Sequence, residues 1–211
     1  MDVGGMVGAG SKAVQAFNLS DQEVIALSDQ SCKQMDAENK VASANSKYNK
    51  RLQRVVKPLT KQLNGQTPNF KVYQTQEVNA WAMANGCIRV YAGLMDKMND
   101  DELRGVIGHE MGHVELGHSK KAMQTAYGLS AARDAAAATA FLNAQFSQSQ
   151  ESDADDYSFE LLTERKLKTQ GLVSAFEKLA ALDGGESSVM SSHPGSKERA
   201  QRMQQRIDAA K

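Results

Sequence analysis

His109-Glu110-Met111-Gly112-His113, in the middle of a segment that reads as helix, narrows the folds open to this chain more than any other stretch. In a helix, positions i and i+4 share a face about one turn apart. Both imidazoles can therefore bind one tetrahedral metal ion, and Glu110 falls beside the open coordination position, where it can hold and deprotonate a water. With four histidines in 211 residues, a chance match has odds on the order of one in a hundred or less. The alternative is a surface helix that carries two histidines for no shared purpose. Asn99 and Glu102 form a capping box that opens this helix. Gly105, Gly108 and Gly112 weaken it by roughly 1 kcal/mol each relative to Ala, which close packing against other backbone would offset.

Two histidines are half a site, because a catalytic zinc takes three protein ligands and leaves a fourth position to water. The metzincin pattern continues as H-E-x-x-H-x-x-G-x-x-H, but Leu116 and Ser119 stand where Gly and His are required. Gly117 and His118 are each one place out of register, and five residues after His113 lies well round the helix from the metal face. The other solution is a carboxylate from a second helix. Glu151-Ser152-Asp153-Ala154-Asp155-Asp156 is the dense acidic cluster with helical context, followed by Tyr157, Phe159, Leu161 and Leu162. Glu151 and Asp155 are an i, i+4 pair. One can ligate the metal while the other accepts a hydrogen bond from a ligand histidine and fixes its tautomer. The competing reading is an acidic first turn that complements the helix dipole.

Taken together, these motifs resemble the HtpX and CAAX-prenyl-endopeptidase group of gluzincin zinc metallopeptidases. The resemblance rests on Val78-Asn79-Ala80-Trp81, Gly86 to Leu94, Asp101-Glu102-Leu103, the H-E-x-x-H helix, the Glu151 to Asp155 E-x-D-A-D, and His193-Pro194 followed by Arg199. It runs from about Ala13 to the C-terminal helix, and within the group it is nearest to a soluble lipoprotein of the bacterial envelope. It implies an α+β fold: a mainly helical zincin-like metallopeptidase domain with a small β-sheet bordering the active-site cleft. It further implies one zinc per chain held by His109, His113 and Glu151, with Asp155 orienting a ligand and Glu110 as general base. The expected activity is hydrolysis of peptide bonds in unfolded or misassembled envelope proteins.

The same resemblance makes Asn79-Ala80-Trp81 the edge strand to which an extended substrate adds by backbone hydrogen bonds. Trp81 then lines a side-chain pocket or packs in the core. His193 follows a polar stretch, Asp183 to Ser192, and is expected on a mobile loop. It can stabilise an oxyanion, occupy the fourth zinc position and silence the enzyme, or stand in solvent. Arg199 braces that loop or pairs with an acid near the metal. The envelope setting implies a periplasmic protein, lipid-anchored to the outer membrane by an N-terminal lipid absent from this chain, and a related envelope peptidase as partner. In an oxidising compartment Cys32 and Cys87 are expected to form a disulfide rather than two free thiols. The contrasting reading is a zinc-binding chaperone or adaptor that holds extended polypeptides with little or self-inhibited turnover.

Composition sets the frame. Twenty-five cationic side chains balance twenty-five anionic ones, which speaks for no basic stripe and no nucleic acid. Integral-membrane members of the group carry spanning helices between the positions of His118 and Glu151. Here that stretch is short and Ala-rich, and Arg133 and Asp134 interrupt it well below the roughly 20 apolar residues a span requires. Residues 1–12 read as a flexible Gly-rich tether and 13–211 as one domain. Ser20 and Glu23 cap a first helix, and a second carries Tyr48, Leu52, Val55, Leu59 and Leu63, with Pro58 as a kink or break. Phe70 to Thr75, Val78 to Ala84 and Cys87 to Tyr91 read as strands, the last two joined by an Asn85-Gly86 hairpin. Leu172, Phe176 and Leu179 mark another helix, and Ser196 to Ala210 a final amphipathic one.

Overall fold

The computed structural model describes residues 19–129, 135–182 and 193–211. The expected tether and the Asp183 to Ser192 stretch lie outside the described residues. Helix α1 (Asp21–Glu38) opens on the Ser20–Glu23 capping box. Helix α2 (Lys47–Val56) ends in a 3₁₀ turn, Lys57–Leu59, that holds Pro58. Proline has no N–H to continue the helix, so the sequence breaks there. Leu63 lies beyond it, in a bridge with Gln66. Strands β1 (Asn69–Tyr73), β2 (Ala80–Ala82) and β3 (Cys87–Tyr91) follow, then helices α3 (Ala92–Lys97), α4 (Asp100–Glu115), α5 (His118–Leu129), α6 (Ala135–Asn143), α7 (Gln148–Glu164), α8 (Gln170–Ala180) and α9 (Ser196–Ala209).

The first two strands stop short of the ends expected from the sequence, because local turns take over there. Thr75 N–H bonds back to Tyr73 C=O at 3.0 Å, and Gly86 N–H to Met83 C=O at 3.0 Å. Gly86 sits at φ +85°, the left-handed region that favours glycine, so the Asn85-Gly86 turn forms as expected. The sheet order is β1-β3-β2, with β1 parallel and β2 antiparallel to β3.

Strand alternation sorts the sheet's side chains onto two covered faces. Val72, Ala80, Ala82, Ile88 and Val90 join the core formed with α2, α4, α7, α8 and α9. Tyr73, Trp81, Cys87 and Tyr91 join a second core under α1, α5 and α6. Arg89 is on that second face, fully buried, with its guanidinium bidentate to Asp36 of α1 at 2.8 and 2.9 Å. The Cys32–Cys87 disulfide ties α1 to β3 beside this ion pair.

The charge distribution corrects the composition-based expectation. No acidic residue occurs between Glu38 and Glu77, a stretch that holds eight of the twenty-five cationic side chains. Folded into α2, several of them form a basic stripe on its outer face.

Candidate metal centre

Helix α4 is placed by its glycines. A Cβ on Gly105 would meet the Leu172 backbone at 3.0 Å, one on Gly108 the Ser158 hydroxyl at 2.5 Å, and one on Gly112 Ala154 Cα at 3.2 Å. α4 therefore lies almost backbone to backbone against α7, and Ser158 Oγ donates to Gly105 C=O at 2.8 Å. The Asn99–Glu102 capping box is formed in both directions, at 2.9 and 2.8 Å. This close approach carries His109, Glu110 and His113 to Glu151 and Asp155. All five are buried.

Four side chains converge on one point. His109 Nε2 is 3.0 Å from His113 Nε2, 3.4 Å from Glu151 Oε2 and 3.2 Å from His193 Nδ1. Glu151 Oε1 is 3.0 Å from His113 Nε2 and from His193 Nδ1. The four donor atoms lie within 4.8 Å of one another. A tetrahedral zinc with bonds of ~2.1 Å has donor–donor edges of about 3.4 Å, so the set fits zinc. His193 is 4 % exposed, so the solvent-facing alternative for it does not hold. Its other nitrogen, Nε2, is 3.1 Å from Glu110 Oε1. It stands between the donor set and Glu110.

A surrounding layer fixes the orientation of these groups. His109 Nδ1 donates to Asp155 Oδ1 at 2.7 Å. Arg199 does both things expected of it as alternatives. Its guanidinium holds Asp155 at two distances of 2.7 Å and Glu151 at 2.6 Å. It also donates to the carbonyls of His193 and Pro194 at 3.4 Å, bracing the loop. Its charged plane stacks 4.4 Å from the Phe176 ring.

Two residues enter the site unannounced. His118 Nδ1 lies 2.9 Å from His113 Nδ1. Counting it round the helix from His113 misplaces it, because α4 ends at Glu115 and Gly117, at φ +78°, turns the chain before α5 begins. His118 thus takes on His113 the part that Asp155 takes on His109. Phe146 stacks face to face on His113, 3.9 Å between centroids and 12° between planes. The signal for it was a lone aromatic in the polar run from Asn143 to Gln150. The capping box of Ser147 with Gln150, which starts α7 and so sets the position of Glu151, is a second feature legible in hindsight.

Burial opposes charge on every group at the centre, and the neighbours decide which charges survive. Glu110 and Glu151 raise His193 to about 10 despite burial. Burial, with His109 beside it, pushes His113 down to about 3. Burial also opposes charging of Glu151, yet His193 and His109 hold it below the usual carboxylate range. His109 is raised, burial being outweighed by Glu151 and by the bond to Asp155. With both Nδ1 atoms engaged outward, the facing Nε2 atoms of His109 and His113 need a cation between them. A proton on His109 meets that need for one pair, whereas a divalent ion satisfies all four donors at once.

The sheet supplies a cleft beside this centre. Asn79, Ala80, Trp81, Glu110, Phe146 and His193 are among the residues lining a narrow cleft. Tyr91 N–H bonds to Asn79 C=O and Met83 N–H to Cys87 C=O, so the backbone groups of residues 79, 81 and 83 face β3. Those of Ala80 and Ala82 face the outer edge. Asn79 Oδ1 accepts from Ala80 N–H, and Ser119 Oγ donates to Ala82 C=O, both at 2.9 Å. Among the described residues, the Ala80 carbonyl and the Ala82 N–H remain on that edge. Trp81 packs mainly in the second core, 5.9 Å from the Tyr73 ring, and its Nε1–H donates to Tyr91 Oη at 3.0 Å.

The model of Peptidase family M48 matches residues 46–144 and 129–207. Metalloprotease YcaL of Escherichia coli (strain K12) is 48 % identical over 229 residues, covering 100 % of this chain and 90 % of that protein. Metalloprotease LoiP of the same organism is 49 % identical over 227 residues, covering 99 % and 90 %. Protease HtpX of Acinetobacter baylyi (strain ATCC 33305 / BD413 / ADP1) is 36 % identical over 70 residues, 31 % of this chain and 23 % of that protein.

Proposed function

Because this chain belongs to peptidase family M48 and is a zinc metalloendopeptidase, we propose that it cleaves unfolded or misassembled cell-envelope proteins, with His109, His113 and Glu151 holding the zinc. The observation that carries this reading is the convergence of those three donors on one point with Glu110 beside it. When bound, zinc supplies Lewis acidity and lowers the pKa of a coordinated water. Glu110 takes the proton of the attacking water and returns it to the leaving nitrogen. Asp155 and His118 hold the two ligand imidazoles in the tautomer that keeps Nε2 free for the metal. An extended segment of substrate pairs with the outer edge of β2 through the Ala80 carbonyl and the Ala82 N–H. That contact uses main chain alone and so suits unfolded polypeptides of many sequences.

The envelope setting is part of the same proposal: a periplasmic protein, lipid-anchored to the outer membrane, working beside a related envelope peptidase. The Cys32–Cys87 disulfide favours an oxidising compartment. The test measures zinc content and casein cleavage for the parent and for Glu110→Gln. Zinc in both, with cleavage in the parent alone, is the expected result. Absence of zinc, or cleavage by Glu110→Gln at the parent rate, overturns the assignment.

A second reading has its own observation. His193 reaches both the donor set and Glu110, the place a water must take. In that position it closes the site, and the protein holds extended chains with self-inhibited turnover. His193→Ala then cleaves casein faster than the parent. Slower cleavage assigns His193 to the oxyanion instead.

A further inference from the structure

The outer face of α2 is the strongest charged surface that the catalytic reading leaves unused. Lys47, Lys50, Arg54 and Lys57 follow one another at helical spacing and fall within about a quarter of the helix circumference. The opposite face buries Leu52, Val55 and Val56. Of the acids at the flank, Asp100 is paired with Arg51 at 2.9 Å and Arg54 at 3.3 Å, while Asp96, which accepts from Tyr48 at 2.8 Å, keeps its charge and leaves the three lysines in excess. Among the described residues, Lys47, Lys50 and Lys57 form no ion pair. Lys40 is also exposed, in the chain segment that borders β1, where its carbonyl accepts from Gln74 N–H at 2.8 Å.

We propose that this face docks the protein onto an anionic phospholipid surface. Three features favour a bilayer over a shaped partner. The stripe spans about 15 Å of a single exposed helix, its charges sit on flexible lysine stems, and none of the described clefts is lined by Lys47, Lys50 or Lys57. Smooth, diffuse negative charge matches such a face, and each basic residue brought close to it strengthens partition by about five-fold at moderate ionic strength. Topology gives the docking a use. α2 packs beside β1, with Gln53 donating to Phe70 C=O at 3.3 Å, whereas the substrate cleft borders β2 at the other edge of the sheet. A bilayer under α2 leaves that cleft open. The proposal is independent of the catalytic assignment and of any covalent lipid.

The experiment is co-sedimentation of the full chain with vesicles of phosphatidylcholine alone or with phosphatidylglycerol, at low and high salt. Binding is expected to the anionic vesicles only, and to fall with salt. Lys47→Gln/Lys50→Gln/Lys57→Gln should reduce it about a hundred-fold, and the three Lys→Arg substitutions should retain it. Casein cleavage should be unchanged in both, which also reports that they fold. Lys33→Gln/Lys121→Gln/Lys197→Gln removes the same net charge from other exposed positions and should bind as the parent does. Equal binding to neutral vesicles, or an equal loss in that last variant, overturns the proposal. So does binding to polyuridylate or polyglutamate with none to vesicles, which would assign the face to an anionic polymer.

Discussion

At the scale of single residues, the centre is built in pairs: each ligand histidine has a partner on its far nitrogen. His109 has Asp155 and His113 has His118. Such partners fix ring orientation, and their loss lowers metal affinity by about 10- to 100-fold. Asp155→Asn and His118→Ala are each expected to lose zinc within that range in a chelator competition, while far-ultraviolet circular dichroism stays that of the parent. Undiminished affinity in both would show that packing alone orients the rings. Asp155 was legible from its i, i+4 spacing to Glu151, a local regularity. His118 was not, because its place depends on a chain reversal at Gly117 that helical counting does not contain. His193 was legible as a candidate through its Pro194 and Arg199 neighbours, but its choice between solvent and metal is made by Glu151, which reaches it across the fold, with Arg199 holding its carbonyl from the next helix.

At the scale of elements, the contact of α4 with α7 positions the catalytic groups. Gly108 sits where a Cβ would fall 2.5 Å from Ser158 Oγ and 3.4 Å from its Cα. Gly108→Ala must push α7 away or displace the hydroxyl that bonds to Gly105. Overpacking of this kind costs about 1–3 kcal/mol. A urea titration is expected to show a loss in that range, and the Ser158→Ala background should recover part of it, since the two sites touch. A change below about 0.5 kcal/mol would mean the helices separate freely. The capping boxes of α1 and α4 were readable because their partners are three residues apart. The strand ends were less so: the β2 sequence stays apolar through Met83 and Ala84, past the residue at which a turn removes it from the ladder.

At the scale of the whole molecule, the sheet is clamped by a buried ion pair as well as by its two cores. Arg89 is 2 % exposed at its side chain and Asp36 is 21 % exposed. Burial raises the pKa of Asp36, but the bonds from Arg89 and Tyr73 outweigh it and the carboxyl is lowered overall. A group whose folded pKa is depressed contributes stability above its unfolded value near 3.9, and that contribution is lost as pH falls through the folded value. Asp36→Asn leaves Arg89 buried without a counter-charge and is expected to cost about 3–5 kcal/mol at pH 7. The gap between parent and variant in urea midpoint should narrow as pH drops below 4, and a gap constant with pH would remove Asp36 as its source. The sequence by itself determined what lies within a few residues: the His109–Glu110–His113 face, the caps, the break at Pro58 and the strand alternation. Each follows from helix or strand geometry and local hydrogen bonding. Only the tertiary structure decided which imidazole joins the donor set from the far end of the chain. It alone also put Trp81 mainly into the core. Those outcomes depend on which surfaces pack across long separations, and helix or strand period carries no information about that.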